Sequence, residues 1–286
     1  MEGIYLIDKP EGITSFDVVR KLRKTLKNKE IGHAGTLDPM ATGLLVVLVG
    51  KATKLSNLLL EKQKTYVAEI TFGFSTDTFD KTGKIVHEKS LFTLTNETLS
   101  KGIETLTMRK EQMPPLFAAI KVDGKKLYEY ARNNEAVEIQ SRPIDIQTFM
   151  ITKPFENNCF EALLSVSKGT YIRSIAHDLG LLLEIPSHLS ALRRIKSGSF
   201  RIEDSYRLDE VTEETQPSIS LNDFMTTLDK VVVEDYMIPL IKNGIRLDER
   251  QTTIEGPFVA VSKTGELLAL YQKDQTNYKP IIQLGE

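Results

Sequence analysis

Cysteine and long apolar runs are scarce in this 286-residue chain, and each shortage excludes a class of protein. The single cysteine, Cys159, excludes an internal disulfide and fits a protein of the reducing cytoplasm. The longest apolar run, Leu44–Val49, is too short to cross a bilayer, and the sequence shows no signal-peptide pattern. We therefore expect a cytoplasmic protein without membrane contact.

Groups that could hold a metal are also few. Besides Cys159, the chain has four histidines, which are scattered along the sequence: His33, His87, His177 and His188. Their spacing matches no zinc-type ligand set. We expect neither a metal ion nor another cofactor.

Charge is distributed unevenly along the chain. Residues 1–200 carry a net charge of +5 and residues 201–286 carry −7, within a total of −2. A basic front region is compatible with a polyanionic partner, although clustered lysines are as often only a solvated surface. Composition therefore permits a nucleic-acid partner and does not require one.

The most distinctive segment is Gly32–Gly43, with the sequence GHAGTLDPMATG. Its glycines permit positive φ angles and the close approach of another molecule, and its Asp-Pro step favours a turn. The apolar run Leu44–Val49 that follows is typical of a strand buried on both faces. We expect a tight loop that presents Asp38 at the mouth of this strand; a merely solvated turn aspartate is the alternative.

Periodicity predicts the elements around this loop. Ser15 is expected to cap a helix whose apolar face is Phe16, Val19, Leu22 and Leu26, and whose opposite face is basic from Arg20 to Lys27. Thr170 is expected to cap a second helix that ends at Gly180. Strands are predicted over 4–10, 65–74, 117–122 and 160–166, and a basic helix over 125–132.

Three domains or segments are expected. Residues 1–200 hold the elements above, and residues 201–230 are acidic and polar, as in a covering segment and linker. Residues 231–286 carry short strand-like runs separated by turns, which predicts a small all-β module.

Two motif matches are dismissed. Gly50-Lys51-Ala52 resembles the end of a phosphate-binding loop, but Leu45 replaces the first glycine and Ala52 replaces the magnesium-binding hydroxyl. Ser165 and Lys168 match a fragment of the serine β-lactamase signature, but Ser165 ends a strand and no Ser-Asp-Asn follows.

The segment Gly32–Leu45 resembles the signature of the TruB family of tRNA pseudouridine synthases, read as G-H-A-G-T-L-D-P-x-A-x-G-L-L. Further stretches resemble the same family in the same order across residues 1–200. They are Asp8–Ser15, Lys64–Tyr66, Thr76–Gly83, Pro114–Lys121, Gly124–Arg132, Arg142–Pro143, Ser167–Ile175 and Leu192–Arg194.

This resemblance implies an activity and a set of site residues. The family isomerises the T-loop uridine at position 55 of tRNA, without metal or redox cofactor. Asp38 matches its catalytic aspartate, and Arg173 matches the arginine that pairs with it. Other positions match residues that bind the RNA: Tyr66 matches a tyrosine that stacks on the flipped base, Tyr171 matches a pocket residue, and His33 matches a histidine that inserts into the RNA loop. Asp80, with Asp77 as the alternative, matches a polar residue that lines the site, and Leu192 matches a further substrate- or RNA-binding position.

The resemblance also implies a fold and a partner. We expect an α/β protein of α+β type: a pseudouridine synthase fold with a mixed, largely antiparallel sheet flanked by helices. Residues 231–286 resemble a PUA-like RNA-binding domain. The expected partner is the T-arm stem-loop of tRNA, bound by a monomer whose basic stretches Arg20–Lys27, Gly124–Arg132 and Leu192–Lys196 hold phosphates.

Two other functions remain open on the sequence alone. One is a tRNA-binding folding chaperone that performs no chemistry, and the other is an acyl-serine hydrolase that would require Ser165 or Lys168. Within the isomerase hypothesis, the route of glycosidic cleavage also stays open between attack at the sugar, attack at the base and a glycal intermediate.

Overall fold

The computed structural model describes residues 2–133 and 135–284. The strands up to residue 207 are β1 (Gly3–Lys9), β2 (Ile31–His33), β3 (Thr42–Val49), β4 (Lys64–Phe72), β5 (Phe74–Thr76), β6 (Ile85–Glu88), β7 (Glu111–Gln112), β8 (Lys121–Val122), β9 (Lys125–Lys126), β10 (Arg142–Pro143), β11 (Ile146–Glu156), β12 (Cys159–Val166), β13 (Ser187–Ser197), β14 (Phe200–Arg201) and β15 (Tyr206–Arg207). They are followed by β16 (Ile219–Ser220), β17 (Asp229–Val232), β18 (Phe258–Val261), β19 (Leu267–Asp274) and β20 (Asn277–Gln283).

Helices are fewer than strands among the described residues. The α-helices are α1 (Ser15–Thr25), α2 (Ser56–Leu60), α3 (Asn96–Thr107), α4 (Leu127–Arg132), α5 (Ile172–Leu182), α6 (Leu221–Thr226) and α7 (Ile238–Lys242). Short 3₁₀ turns cover Gly50–Leu55, Ile202–Asp204 and Asp235–Met237. Over the residues that the structure describes, no helix is long and apolar enough to span a membrane.

A ten-stranded sheet forms the centre of the molecule. Its main path is β11-β12-β4-β13-β3-β1-β15, with β2 paired to β3, β14 to β13 and β16 to β1. The pairs β13–β3 and β1–β15 are parallel, and the other pairs are antiparallel. The predicted mixed, largely antiparallel sheet of an α+β protein is confirmed.

Strand β3 explains the apolar run Leu44–Val49. Leu45, Val47 and Val49 belong to the core on one face of the sheet. Leu44, Val46 and Leu48 belong to a second core on the other face. Because successive side chains of a strand point to opposite faces, a strand covered on both sides reads as one continuous apolar run.

Helix α1 begins differently from the prediction. Thr14, not Ser15, is the N-cap: its Oγ1 accepts the Asp17 N–H at 3.0 Å, and the Asp17 carboxylate accepts the Thr14 N–H at 2.9 Å. Ser15 instead turns inward, where its Oγ accepts the Leu37 N–H at 2.8 Å. Phe16, predicted in the core, is 58% exposed because Val18, Val19 and Leu22 form the buried face.

Two further boundaries differ from the prediction. The strand predicted over 117–122 is limited to β8 in the structure. A two-residue turn at Asp123 and Gly124 joins β8 to β9, and both turn residues have positive φ, as a type I′ hairpin requires. Helix α5 has Tyr171 rather than Thr170 as N-cap and continues through Gly180. A Cβ at Gly180 would lie 2.3 Å from Ser187 Oγ, so this glycine serves the close packing of α5 on β13.

The acidic region 201–286 contributes strands to the edge of the central sheet and side chains to the second core. In the segment 201–230, β15 and β16 hydrogen-bond to β1 at the sheet edge. Strands β17–β20 form a separate four-stranded sheet, whose residues Val259, Leu270 and Ile282 share the second core with Ile4 and Leu6. A small β-rich C-terminal unit is therefore present; its PUA-like character and the boundaries at residues 200 and 230 stay predictions.

Candidate active site

A cavity of about 360 Å³ opens between the loop that follows β2 and the start of α5. Five of the seven candidate residues line it: Asp38, Tyr66, Tyr171, Arg173 and Leu192. Asp80 contacts the cavity indirectly, through Arg173, and His33 lies on β2 outside the lining. The fold thus brings together side chains that are separated by up to 154 residues in the sequence.

The loop that carries Asp38 is held from several directions. Its Asp-Pro turn closes with the Ala41 N–H donating to Asp38 O at 3.1 Å, as the sequence predicted. Gly43, at the end of the loop, has φ +98°, and a Cβ there would lie 2.3 Å from Arg194 O. Glycine is required at this position because β3 and β13 approach each other so closely.

Asp38 is paired with Arg173. Arg173 Nη2 donates to Asp38 Oδ1 at 3.2 Å, and Nε lies 2.8 Å from Oδ2 without the alignment of a hydrogen bond. The guanidinium is buried, with 5% of its side chain exposed, whereas the Asp38 side chain keeps 34% exposure toward the cavity. The buried Arg173 therefore orients the Asp38 carboxylate from the protein interior, and the carboxylate stays accessible from the cavity.

The surroundings of Asp38 shift its ionisation. Burial raises the pKa of the Asp38 carboxyl above its ordinary value, and the nearby Asp80 carboxylate adds to the rise. The Arg173 guanidinium opposes both effects, because a positive charge favours the ionised form. Arg173 thus favours the ionised form of this partly desolvated carboxylate.

Arg173 is itself fixed by the opposite walls of the site. Its Nη1 donates to Thr78 O at 3.1 Å, and its Nη2 donates to Phe117 O at 3.2 Å. Asp80 Oδ2 lies 3.7 Å from Nη1. The other oxygen, Asp80 Oδ1, accepts hydrogen bonds from the side chains of Thr78 and Thr82 at 2.9 and 2.6 Å. The loop of residues 78–82 therefore determines where the guanidinium lies.

The two tyrosines line the cavity from different elements. Tyr66 lies near the start of β4 and is 8% exposed. The backbone of Tyr171 is held by Gln112, whose Oε1 accepts the Tyr171 N–H at 2.8 Å and whose Nε2 donates to Tyr171 O at 3.0 Å. Burial raises the pKa of the Tyr171 hydroxyl, so this group stays protonated at neutral pH. Both rings can present a flat apolar face to a base.

His33 has a buried Nδ1 atom without a hydrogen-bond partner. Burial lowers the pKa of its imidazole, and the positive charge of Arg194 lowers it further. The ring is therefore neutral at physiological pH. Its predicted insertion into RNA, like the roles of the other candidate residues, stays a prediction.

Three buried cations were not predicted as part of this site: Lys9, Lys64 and Arg194. Arg194 is 1% exposed, and its guanidinium donates to Leu44 O at 2.6 Å and Gly35 O at 3.1 Å. It thus holds the Asp38 loop, and the prediction that it belongs to a phosphate-binding surface is wrong. Only its position two residues after Leu192, on the same face of a strand, could have signalled a role at the cavity.

Lys9 and Lys64 are held in the same way, by backbone carbonyls. Lys9 Nζ donates to Pro10 O and Ile13 O, both at 2.8 Å, and Lys64 Nζ donates to Leu60 O at 2.6 Å. Burial lowers the pKa of each lysine to about 8.

In the ranges 2–133 and 135–284, no group of three or more histidine, cysteine or carboxylate side chains is arranged to hold a metal.

Comparison with known proteins assigns the chain to a family. Residues 23–172 match the family model "TruB family pseudouridylate synthase (N terminal domain)". The chain belongs to the TruB family. Residues 173–233 match the model "tRNA pseudouridylate synthase B C-terminal domain".

Relatives of this TruB-family chain match it over nearly its full length. A protein of Bacillus anthracis named "tRNA pseudouridine synthase B" is 42% identical, over 95% of this chain and 92% of its own. A protein of the same name from Acholeplasma laidlawii is 40% identical, over 98% of both chains. A crystal structure of a Cbf5-Nop10-Gar1 complex matches with a TM-score of 0.68 at 24% identity, over 96% of this chain and 79% of that chain, which shows a shared fold.

Two basic surfaces of the TruB-family chain are exposed. The lysines and arginines from Arg20 to Lys24 on α1, and Lys27 just after it, are all exposed, although Lys27 pairs with Glu213 at 2.6 Å. On the arm 124–132, Lys125 lies over the ring of Tyr130 at 4.6 Å. Arg132 lies over the ring of Tyr128 at 5.4 Å. Cations and aromatic rings are thus interleaved, as in many surfaces that bind nucleic acid.

Proposed function

We propose that this chain isomerises uridine to pseudouridine in tRNA, at position 55 of the T-loop. The observation that carries the proposal is the half-exposed Asp38 carboxylate, which Arg173 orients toward a cavity lined by two tyrosines. The names of relatives that are 40–42% identical agree with it. No observation favours a chaperone without chemistry or a serine hydrolase.

The reaction is an isomerisation that balances without another reactant. The bond between N1 of uracil and C1′ of ribose breaks, the base turns, and a bond forms between C5 and C1′. The proton on C5 leaves, and N1 gains a proton. No oxidant, reductant or metal is needed, and an ionised, oriented carboxylate next to C1′ or the base can serve as nucleophile.

The site can hold a flipped nucleotide. A loop uridine must leave its stack to reach Asp38, at a cost of about a few kcal/mol that stacking and pocket contacts offset. We assign this stacking to Tyr66, with Tyr171 and Leu192 as the other walls of the pocket. His33, on the strand that leads into the Asp38 loop, would occupy the space that the base leaves.

The partner is the T-arm stem-loop of tRNA. Helix α1 and the arm 124–132 supply exposed cations for its phosphates, and we infer that the C-terminal sheet extends this contact. A protein that acts on tRNA in this way would work in the cytoplasm, and we propose that it does so as a monomer.

The test is tritium release from a T-arm stem-loop labelled at uridine C5, measured for the wild type and for Asp38→Asn. We expect release by the wild type and a loss of at least about 10³-fold in Asp38→Asn, because the amide cannot act as a nucleophile. Both proteins should bind the stem-loop with similar affinity. Moving the labelled uridine by one position tests the site: release from a neighbouring uridine alone would contradict the assignment to position 55.

If the wild type binds the stem-loop but releases no tritium, the isomerase proposal is wrong. Equal release by wild type and Asp38→Asn would leave the activity standing and remove Asp38 from its centre.

A further inference from the structure

Phe79 has a backbone conformation that is unusual for its residue type. Its φ is +64°, in the left-handed region that a bulky side chain rarely adopts. It stands between Thr78, whose carbonyl accepts from Arg173, and Asp80, whose carboxylate faces the same guanidinium. A strained residue at this point therefore belongs to the loop that locates Arg173.

The ring of Phe79 is stacked on His177. The two ring centroids are 3.9 Å apart and the planes are inclined by 8°. His177 lies four residues after Arg173 on α5, so both side chains project from the same face of that helix, one turn apart. The loop is thus fastened to α5 at two successive turns: by the Thr78 hydrogen bond and the Asp80 ion pair to Arg173, and by the stack on His177.

Backbone hydrogen bonds fix the other side of this loop. The Leu189 N–H donates to Phe79 O at 3.0 Å, and the Lys81 N–H donates to Leu189 O at 3.0 Å. Residues 79–81 therefore lie against β13 while Phe79 reaches across to α5. Burial lowers the pKa of His177, and the nearby His87 imidazole adds to the effect, so the ring in the stack is neutral.

The geometry points to His177 and Phe79 as positioning residues, whose stack holds the loop of residues 78–80 in its strained conformation and thereby holds Arg173 against Asp38. This inference rests on the proposed function, since it assigns the stack a part in turnover. Neither residue lines the cavity, so neither contacts a uridine held there. The stack should act on the rate of the chemical step and leave tRNA affinity unchanged.

The experiment compares His177→Ala, His177→Phe and Phe79→Gly with the wild type. We expect His177→Ala to lower kcat about three- to tenfold, the range that an aromatic pair supports, with the Kd for the T-arm stem-loop within about twofold. His177→Phe keeps a ring on Phe79 and should restore most of kcat. Phe79→Gly relieves the strained φ, so it should lower kcat without a matching loss of thermal stability.

A control separates positioning from general destabilisation. Phe155 packs edge-on against Phe72, with ring centroids 5.9 Å apart, on a strand remote from the cavity. Phe155→Ala should lower the melting temperature and leave kcat unchanged.

The pH dependence of kcat adds a second readout. In His177→Ala the acid limb of the kcat profile should move to higher pH, because a loosened Arg173 opposes less strongly the rise in the Asp38 pKa that burial causes.

Hydrogen exchange of the Lys81 and Leu189 amides supplies a readout that needs no activity. We expect about three- to tenfold faster exchange in His177→Ala, and wild-type rates in Phe155→Ala. Unchanged kcat and unchanged exchange in His177→Ala would overturn the inference, as would a rise in Kd at constant kcat. An inactive wild type together with faster exchange would instead overturn the proposed function and retain the stack as the device that holds the loop.

Discussion

The cavity and the C-terminal sheet differ in where their charged side chains lie: several are buried at the cavity, whereas those of the C-terminal sheet lie at the surface. Among the described residues, the buried lysine, arginine and carboxylate side chains are all at or beside the cavity: Lys9, Lys64, Asp80, Arg173 and Arg194. Over 229–284 the charged groups pair at the surface instead, as Arg246 does with Asp274 at 3.0 Å. Strands carry buried charges at the cavity, as β4 does with Lys64 and β13 with Arg194, so strand structure by itself does not decide whether a charge is buried.

Burying a charge costs several kcal/mol per ion unless hydrogen bonds replace its water. At the cavity, backbone carbonyls do so for Lys9, Lys64 and Arg194, and carbonyls together with Asp38 do so for Arg173. The result is an excess of positive charge around Asp38, where a polyanion would bind. Perturbed, buried charges mark this site, whereas the net charge of the chain does not.

Among changes to the buried charged side chains, Arg173→Ala is expected to have the largest effect on turnover. Removing a buried group that aligns a catalytic carboxylate should lower kcat by roughly 10²–10³-fold, with the Kd for the T-arm stem-loop close to the wild-type value. Single-turnover tritium release and a binding titration measure the two quantities. Arg173→Lys, which keeps the charge but not the fork of donors, should fall between. A large loss of RNA affinity in Arg173→Ala with kcat intact would contradict the role assigned here.

Stability should respond most to Arg194→Met. This change leaves the carbonyls of Gly35 and Leu44 buried without a donor, which should cost roughly 2–4 kcal/mol of unfolding free energy. Urea unfolding measures it. The adjacent Arg193 is the matched control, since 42% of its side chain is exposed and its partner Asp8 lies at the surface edge. If Arg193→Met costs as much as Arg194→Met, the contrast between buried and exposed charge does not hold.

The acid limb of the rate profile should reveal the shifted carboxyl. In the proposed reaction Asp38 acts as an ionised carboxylate, and because burial raises its pKa, kcat should fall with decreasing pH at values above the ordinary 3.8 of an aspartate. In Arg173→Ala the opposing charge is absent, so the limb should move to higher pH; Arg173→Lys keeps the charge, so its limb should move less. A limb that stays in place in Arg173→Ala would show that a different group titrates.

The smallest effect is expected at the C-terminal sheet. Arg246→Met breaks an ion pair that keeps 59% exposure on the arginine side, so it should change the unfolding free energy by less than about 1 kcal/mol and leave kcat unaltered. Thermal melts at low and high salt measure this. A loss of more than about 2 kcal/mol of unfolding free energy would contradict this expectation, because an ion pair in contact with water contributes less than that.

Much of the fold could be predicted from local pattern. Hydrophobic periodicity and turn chemistry predict three of its features: the apolar run of β3, which is buried on both faces, the alternation of β12, and the Asp-Pro turn at Asp38. Short segments carry these signals by themselves. The helix caps were displaced by one residue. Thr14 rather than Ser15 caps α1, because the Ser15 hydroxyl bonds Leu37 across the molecule, and no local pattern encodes that partner.

The candidate site was predicted only as far as its matched motifs reach. Motif resemblance brought Asp38, Tyr66, Tyr171, Arg173 and Leu192 onto one site, and all five line one cavity. The buried cations were missed because a lysine or arginine looks the same in sequence whether it is solvated or enclosed. Arg193 and Arg194 are neighbours in a strand, so they point to opposite faces, and one is half-exposed while the other is buried.

By itself, the sequence determined the strand-rich α+β class, the family and the segment that carries Asp38, because turn residues, periodicity and motif spacing are local properties of the chain. The tertiary structure decided which charges are buried, how Arg173 is held and that Phe79 stacks on His177. These depend on residues up to 158 positions apart meeting across the sheet, as Arg194 and Thr36 do. Such contacts arise only when distant strands pair, and no local pattern records them.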